Sequence, residues 1–213
     1  MVFSAPLFLF LFLPIFFLFY YLFPQRFKNT ILLIFSVLFY TWGAPEFVVF
    51  FMVSIVADFM ITRQMAMAPD DKRRSWLLLS LILNISLLGY FKYANFFVDS
   101  CTTLFSWLGV ELSDWKRVAL PIGISFFTFQ KISYTIDLYR KCCQPLRRIQ
   151  DYAVYILMFP QLIAGPIVRF KEIEHQLLHR NEEKVFDARV IGFIRFVVGL
   201  SKRYLSRMFW VNK

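Results

Sequence analysis

Leu120-Pro-Ile-Gly-Ile-Ser-Phe-Phe-Thr-Phe-Gln-Lys-Ile-Ser-Tyr-Thr-Ile-Asp137 and Tyr152-Ala-Val-Tyr-Ile-Leu-Met-Phe-Pro-Gln-Leu-Ile-Ala-Gly-Pro-Ile-Val168 are the two stretches that decide the fold. Both are too apolar for water. Both also hold more Pro, Gly and polar side chains than a plain lipid-facing span tolerates. Pro121, Gly123, Pro160, Gly165 and Pro166 each weaken or remove helical hydrogen bonds. Backbone freed at membrane depth is stable only inside protein or along a wet cavity. The two stretches are therefore expected to face an interior, with everything before them forming its wall. A basic loop holding Arg140, Lys141, Arg147 and Arg148 joins them.

The surrounding chain sets the class. Of 213 residues, 59% are hydrophobic and 28 are Phe, in runs such as Phe8-Leu-Phe-Leu-Phe-Leu13. Soluble domains are about 45–50% apolar. These runs lack the alternating polarity of a transmembrane barrel strand. The expected fold is an all-α polytopic membrane protein. Its net charge of +10 comes from Lys and Arg in short loops between apolar segments. Topology explains that charge better than nucleic acid does, and no nucleic-acid motif occurs.

The first segment, residues 3–23, follows no cationic n-region and precedes no small-residue cleavage site, so it reads as a retained span and not as a secretory signal. Pro6 and Pro14 are expected to kink it. Further spans are expected over residues 30–42, 47–61 and 75–91. Arg26 and Lys28 follow the first span, and Arg63, Lys72, Arg73 and Arg74 follow the third. The positive-inside rule then puts the N-terminus outside the cytoplasm. Residues 92–117 mix aromatics with Asp99, Glu111 and Asp114, which suits extracytoplasmic interfacial helices. Residues 118–136 should cross inward. The segment 152–168, basic on both flanks, should enter and leave on the cytoplasmic side as a re-entrant element. Residues 171–181 read as an amphipathic cytoplasmic helix, and a last span starts near Val190. The chain thus divides into 1–91, 92–117, 118–170 and 171–213.

Several residues could carry chemistry. Lys131 is charged at membrane depth and needs a partner or a wet cavity. Gln130, Ser133, Tyr134 and Asp137 extend a polar strip beside it. That strip reads equally as a buried network or as a cavity lining that contacts a hydroxyl- or acyl-bearing substrate. Asp58 is an intramembrane acid, expected to be solvated or paired with Arg63 near the end of its span. His175 and His179, the only histidines, share a helix face in the manner of a metalloprotease helix. Gln176 takes the place of the Glu base there, and no third ligand is apparent, so no metal site is expected. Cys101, Cys142 and Cys143 form no C-x-x-C pair; the adjacent Cys142 and Cys143 read as reduced thiols or as a lipidation site. Ser125 and Thr128 lack a His beside them to activate a hydroxyl nucleophile.

The stretch Leu120 to Arg140 resembles the signature of the membrane-bound O-acyltransferases, in particular their bacterial alginate O-acetyltransferase branch. Phe159-Pro-Gln-Leu-Ile-Ala-Gly-Pro-Ile-Val-Arg169 resembles that branch's second signature and Gly199-Leu-Ser-Lys202 a third. Gln130, Lys131, Ser133, Tyr134, Asp137, Gln161 and Arg169 are the motif and tunnel candidates on these segments. The resemblance implies helices around a tunnel where a cytoplasmic acyl donor meets an acceptor hydroxyl. The donor would be acetyl-CoA or a carrier-bound acyl group. The acceptor would be an extracytoplasmic polysaccharide such as alginate, with periplasmic O-acetylation proteins as partners and the bacterial inner membrane as the site. The family's catalytic His lies in motifs that neither His175 nor His179 matches. The chain is thus expected to be an N-terminal part, inactive alone. A non-catalytic membrane scaffold and, less readily, a transporter fragment are the alternatives; no internal repeat supports the latter.

Overall fold

The computed structural model describes residues 6–107, 118–121, 123–162, 168–178 and 191–202. A π-helical turn, Phe8–Phe12, leads into α1 (Leu13–Leu22). There follow α2 (Lys28–Gly43), α3 (Val48–Met67), α4 (Asp70–Trp107), α5 (Ile124–Tyr139), α6 (Ile149–Leu157), α7 (Phe159–Leu162) and α8 (Phe170–Leu178). Residues 191–202 form α9. No strand occurs among the described residues.

The helices turn apolar side chains outward. Phe10, Leu22, Val49, Ile82 and Phe97 are all largely exposed. Only 33% of the apolar window in Pro45–Met67 and 17% of that in Asp70–Thr102 is buried, so neither is the core helix of a soluble domain. Continuous apolar surface of this kind needs lipid to cover it. The chain is an all-α membrane protein.

Pro14 stands at the second position of α1, directly after the π-helical turn. The Leu13 N–H reaches back to the Phe8 carbonyl, and this wide turn absorbs the amide that proline lacks. Phe8, Phe12 and Phe16 then share one helix face and meet the Phe159 ring at 6.2, 5.4 and 5.1 Å between centroids.

Helix ends fall later than hydropathy indicates. The expected loop at Arg63–Arg74 shrinks to the turn at Ala68–Pro69, because charged residues continue a helix as readily as apolar ones. The expected end at residue 91 is absent too. A single helix, α4, runs through residues 92–107, where separate interfacial helices were expected; 108–117 lie outside the described residues. Asn95 exchanges two hydrogen bonds with the Val118 backbone, at 2.7 and 2.9 Å. From Asp70 to that clamp is about 37 Å at 1.5 Å per residue, close to a bilayer's core plus its margin.

Pro121 and Gly123 precede α5 instead of breaking it. Gly123 has φ 83°, and the Ile124 N–H closes a turn onto the Pro121 carbonyl. The far end of α5 is a Schellman cap. Cys142 N–H bonds the Asp137 carbonyl and Lys141 N–H the Leu138 carbonyl, with Lys141 itself left-handed at φ 59°.

The innermost element is α6. Tyr152 through Leu157 are all buried, so it has no face for lipid. Helices α2, α3, α5 and α8 surround it. At nine residues it spans about 13 Å, half a bilayer core. It breaks at Met158, where the Phe159 N–H is taken up by the Ser36 hydroxyl of α2 at 3.1 Å. The chain then returns: Asn29 bonds Asp151 at the start of α6 and the Leu177 carbonyl near the end of α8. The start of α6 and the end of α8 therefore lie together, while residues 163–167 of the expected re-entrant segment lie outside the described residues. Lys141 pairs with Asp70 at 3.1 Å and Arg73 bonds the Leu138 carbonyl, which brings the basic loops to that same end.

Candidate functional site

Asp58 lies in the middle of α3 and is fully buried. Its Oδ1 accepts from Ser80 Oγ and Asn84 Nδ2, each at 2.7 Å, and its Oδ2 accepts from the Tyr152 hydroxyl. Ser80 and Asn84 stand one turn apart on α4, and Tyr152 is on α6. Ser80 also meets Thr135 of α5 at 3.2 Å, and Thr135 bonds the Lys131 carbonyl. Three helices thus meet at one carboxylate, and Thr135 joins α5 to it through Ser80. The expectation that Asp58 is solvated or paired with Arg63 fails, because α3 continues to Met67 and leaves Asp58 mid-helix, with Arg63 exposed.

Lys131 is 2% exposed, and its ammonium donates to Ser54 Oγ. Ser54 precedes Asp58 by one turn of α3. No direct Lys131–Asp58 ion pair forms, but the i, i+4 spacing of Ser54 and Asp58 puts both on the buried face of α3 that Lys131 meets. The partner that a charged side chain at membrane depth requires is therefore split between a hydroxyl in contact and a carboxylate at longer range.

The other candidates on α5 divide by helix face. Gln130, Tyr134 and Asp137 are buried, while Ser133 is half-buried. Tyr134 packs its ring on Tyr152 and Phe170 at 5.1 and 5.2 Å, and its hydroxyl accepts the Leu146 N–H at 3.0 Å. That bond holds the basic loop down on α5. Gln130 is fully buried, and neither its Nε2 nor its Oε1 has a hydrogen-bond partner; Asp137 Oδ2 and Asn84 Oδ1 likewise have none. Unpaired buried amides of this kind are rare. Gln161 is buried on α7, its N–H bonding the Met158 carbonyl. Arg169 stands apart from the interior. It is exposed at the start of α8, where its carbonyl accepts the Glu172 N–H.

The structure therefore brings Lys131 and Tyr134 into one polar interior with Asp58. Sequence reasoning missed Ser80, Asn84, Thr135 and Tyr152 there. A signal existed in Ser80 and Asn84, two polar residues at i, i+4 on one face of a span whose other polar residues are Ser75, Ser86 and Tyr90. Among the described residues no group of three His, Cys, Asp or Glu could hold a metal. His175 is exposed on α8, and His179 lies outside the described residues. Cys101, Cys142 and Cys143 are free thiols, Cys143 half-buried. Burial, with Glu174 and Asp137 nearby, pushes the Cys143 thiol up to about 12.

No protein-family model and no solved structure matches the chain. Curated relatives do. A Pseudomonas aeruginosa protein named "Probable alginate O-acetylase AlgI" is 40% identical over 205 residues, 95% of this chain and 39% of the relative. A protein of the same name from Pseudomonas syringae pv. tomato is 42% identical over the same shares. The "Peptidoglycan O-acetyltransferase" of Helicobacter pylori is 32% identical over 95% of this chain and 44% of its own length. The chain spans about two-fifths of the length of the curated relatives it matches. The matched stretch, 95% of this chain, takes in Asp58 and the helices α5 through α8, and the chain is similar there to proteins named as O-acetylases and O-acetyltransferases, as the signatures in α5 and α7 led one to expect.

Proposed function

We propose that the chain forms the N-terminal part of an O-acetyltransferase that moves acetyl from a cytoplasmic donor, acetyl-CoA or a carrier-bound acyl group, to hydroxyls of an extracytoplasmic polysaccharide. The observation that carries this reading is α6, a central helix with no lipid face, set against the polar side of α5. A shielded polar interior keeps water from an acyl group until an acceptor hydroxyl arrives. Gln130, Lys131, Tyr134 and Gln161 are the residues of this chain that line it. None of the described residues is assigned as general base: His175 is exposed on α8, and neither histidine matches the motif that the resemblance implies for the catalytic His.

The chain sits in a bacterial inner membrane with its N-terminus extracytoplasmic. Support comes from Arg26, Lys72, Arg140 and Arg147, all exposed and clustered at one end of the bundle. In this reading periplasmic O-acetylation proteins receive or direct the acetyl group.

A chimera tests the activity. This chain replaces the matching part of the Pseudomonas aeruginosa relative, and acetyl ester on alginate is measured in a strain lacking that relative. Restored acetylation is expected; a chimera that inserts stably and acetylates nothing refutes the proposal. Native cysteines test the orientation. Cys142 lies in the basic loop, and Cys101 lies 31 residues along α4 from Asp70, about 46 Å away. A membrane-impermeant maleimide should label Cys101 and spare Cys142 in spheroplasts. The reverse pattern would invert the topology.

A further inference from the structure

Asp58, Ser80 and Asn84 lie outside all three signature segments, yet they carry the densest buried hydrogen bonding among the described residues. Three side-chain donors on two helices meet one carboxylate that water does not reach. A group enclosed this way is costly to bury and needs a reason to persist.

The packing supplies two reasons. The first is mechanical. Among the described residues Tyr152 is the one on α6 that hydrogen-bonds α3, and it sits six residues before the break at Met158. The break itself is held separately by Ser36 of α2. Fixing α6 at both points fixes the start of the segment that carries Gln161. The second is electrostatic. Lys131 is enclosed on α5 with a single hydroxyl partner, Ser54, which leaves its charge without a contacting anion. Ser54 and Asp58 stand one turn apart on the same buried face of α3, so the Asp58 carboxylate lies just beyond the hydroxyl that Lys131 contacts.

We infer that Asp58 is a positioning residue: its carboxylate tethers α6 through Tyr152 and is the counter-charge that allows Lys131 to stand inside the bundle. The two charges are coupled although they do not touch. An interior of low dielectric transmits the attraction across a helical turn, where water would screen it. Either charge alone would be an unpaired ion in the bundle. The inference concerns this chain's own helices and holds whether or not acetyl transfer is its activity.

The coupling separates this role from plain hydrogen bonding. In Asp58→Asn the shape and an acceptor oxygen remain, but Lys131 loses its counter-charge. In Lys131→Met the stem remains, but Asp58 loses its cation. The double variant carries neither charge. The measurement is the thermal unfolding midpoint of the full 213-residue chain in detergent for all four proteins. Each single variant is expected to lose about 10 °C, as breaking a buried pair does in a chain of this size. The double variant is expected to recover at least half of the larger loss. Additive losses would overturn the inference, since a carboxylate valued only for its hydrogen bonds gains nothing when Lys131 is neutralised. If Asp58→Asn does not accumulate in membranes, accumulation of the double variant supports the coupling in the same way. Failure of both to accumulate refutes it.

Discussion

Replacing Tyr152 with Phe removes one hydroxyl and almost no volume, so its cost isolates a single hydrogen bond. The hydroxyl donates to Asp58 Oδ2 in a fully buried setting, while Oδ1 keeps Ser80 and Asn84. A hydrogen bond to a charged group contributes about 1.5–3 kcal/mol, and the bared oxygen has no water to replace its donor. Two neighbouring tyrosines serve as internal controls. The Tyr155 hydroxyl bonds the Val168 carbonyl at 3.2 Å, and that of Tyr134 accepts the Leu146 N–H at 3.0 Å. Both partners are neutral, for which about 0.5–1.5 kcal/mol is usual. All three rings pack in the same cluster, so packing changes cancel in the comparison. At about 2–4 °C per kcal/mol for a chain of this length, Tyr152→Phe should lower the unfolding midpoint by about 6–8 °C. Tyr155→Phe and Tyr134→Phe should each lower it by about 2–4 °C. The assay is thermal unfolding of the purified chain in detergent, followed by intrinsic fluorescence. A Tyr152→Phe midpoint no lower than that of Tyr155→Phe would refute the placement of a charged acceptor at Tyr152.

Other elements give sharp tests by the same measurement. Gly123→Ala should destabilise by about 1–2 kcal/mol, because a Cβ is disfavoured at φ 83°; an unchanged midpoint would rule out the left-handed entry turn of α5. Phe159→Ala should cost about 3–5 kcal/mol, since its ring meets Phe8, Phe12, Phe16 and Phe39. A small loss there would mean that α1 does not pack on the α6–α7 break. Cys143 should react with iodoacetamide about 100-fold more slowly at pH 8 than an ordinary exposed thiol. The thiolate is the nucleophile, and a thiol pushed up to about 12 is almost wholly protonated at that pH, the greater nucleophilicity of its thiolate offsetting part of the deficit. Its rate should rise about tenfold per pH unit until pH approaches 12; a rate that levels off near pH 9 would contradict its burial beside Glu174 and Asp137.

Much of the interior was legible residue by residue. Lys131 announced itself because an ammonium among apolar residues is expensive wherever the helix packs. Pro160 marked a segment unlike a plain span, and α6 and α7 are indeed short and broken at Met158, with Phe159 and Gln161 buried; Gly165 lies outside the described residues. Arg169, grouped with the interior by its place in a signature, is exposed, because a motif's last residue can lie past the turn that leaves the core. Asp58 was misread for a related reason. Hydropathy marks where a span becomes polar, whereas a helix ends only where its hydrogen bonding does, and α3 continues six residues beyond Ile61.

The sequence by itself determined that this chain is helical, that it belongs in a membrane and that its basic loops share one end. Those properties are sums over local terms: the transfer energy of each apolar side chain, and the charge of each loop. Its two long signatures also pointed to the family. Only the tertiary structure decided that Asp58, Ser80, Asn84, Thr135 and Tyr152 form one network, since its members stand as many as 94 positions apart. Periodicity reports that a helix has a polar face but not which helix that face meets. The meeting depends on the crossing of α3, α4, α5 and α6, and there the cost of burying a carboxylate leaves few arrangements that satisfy it.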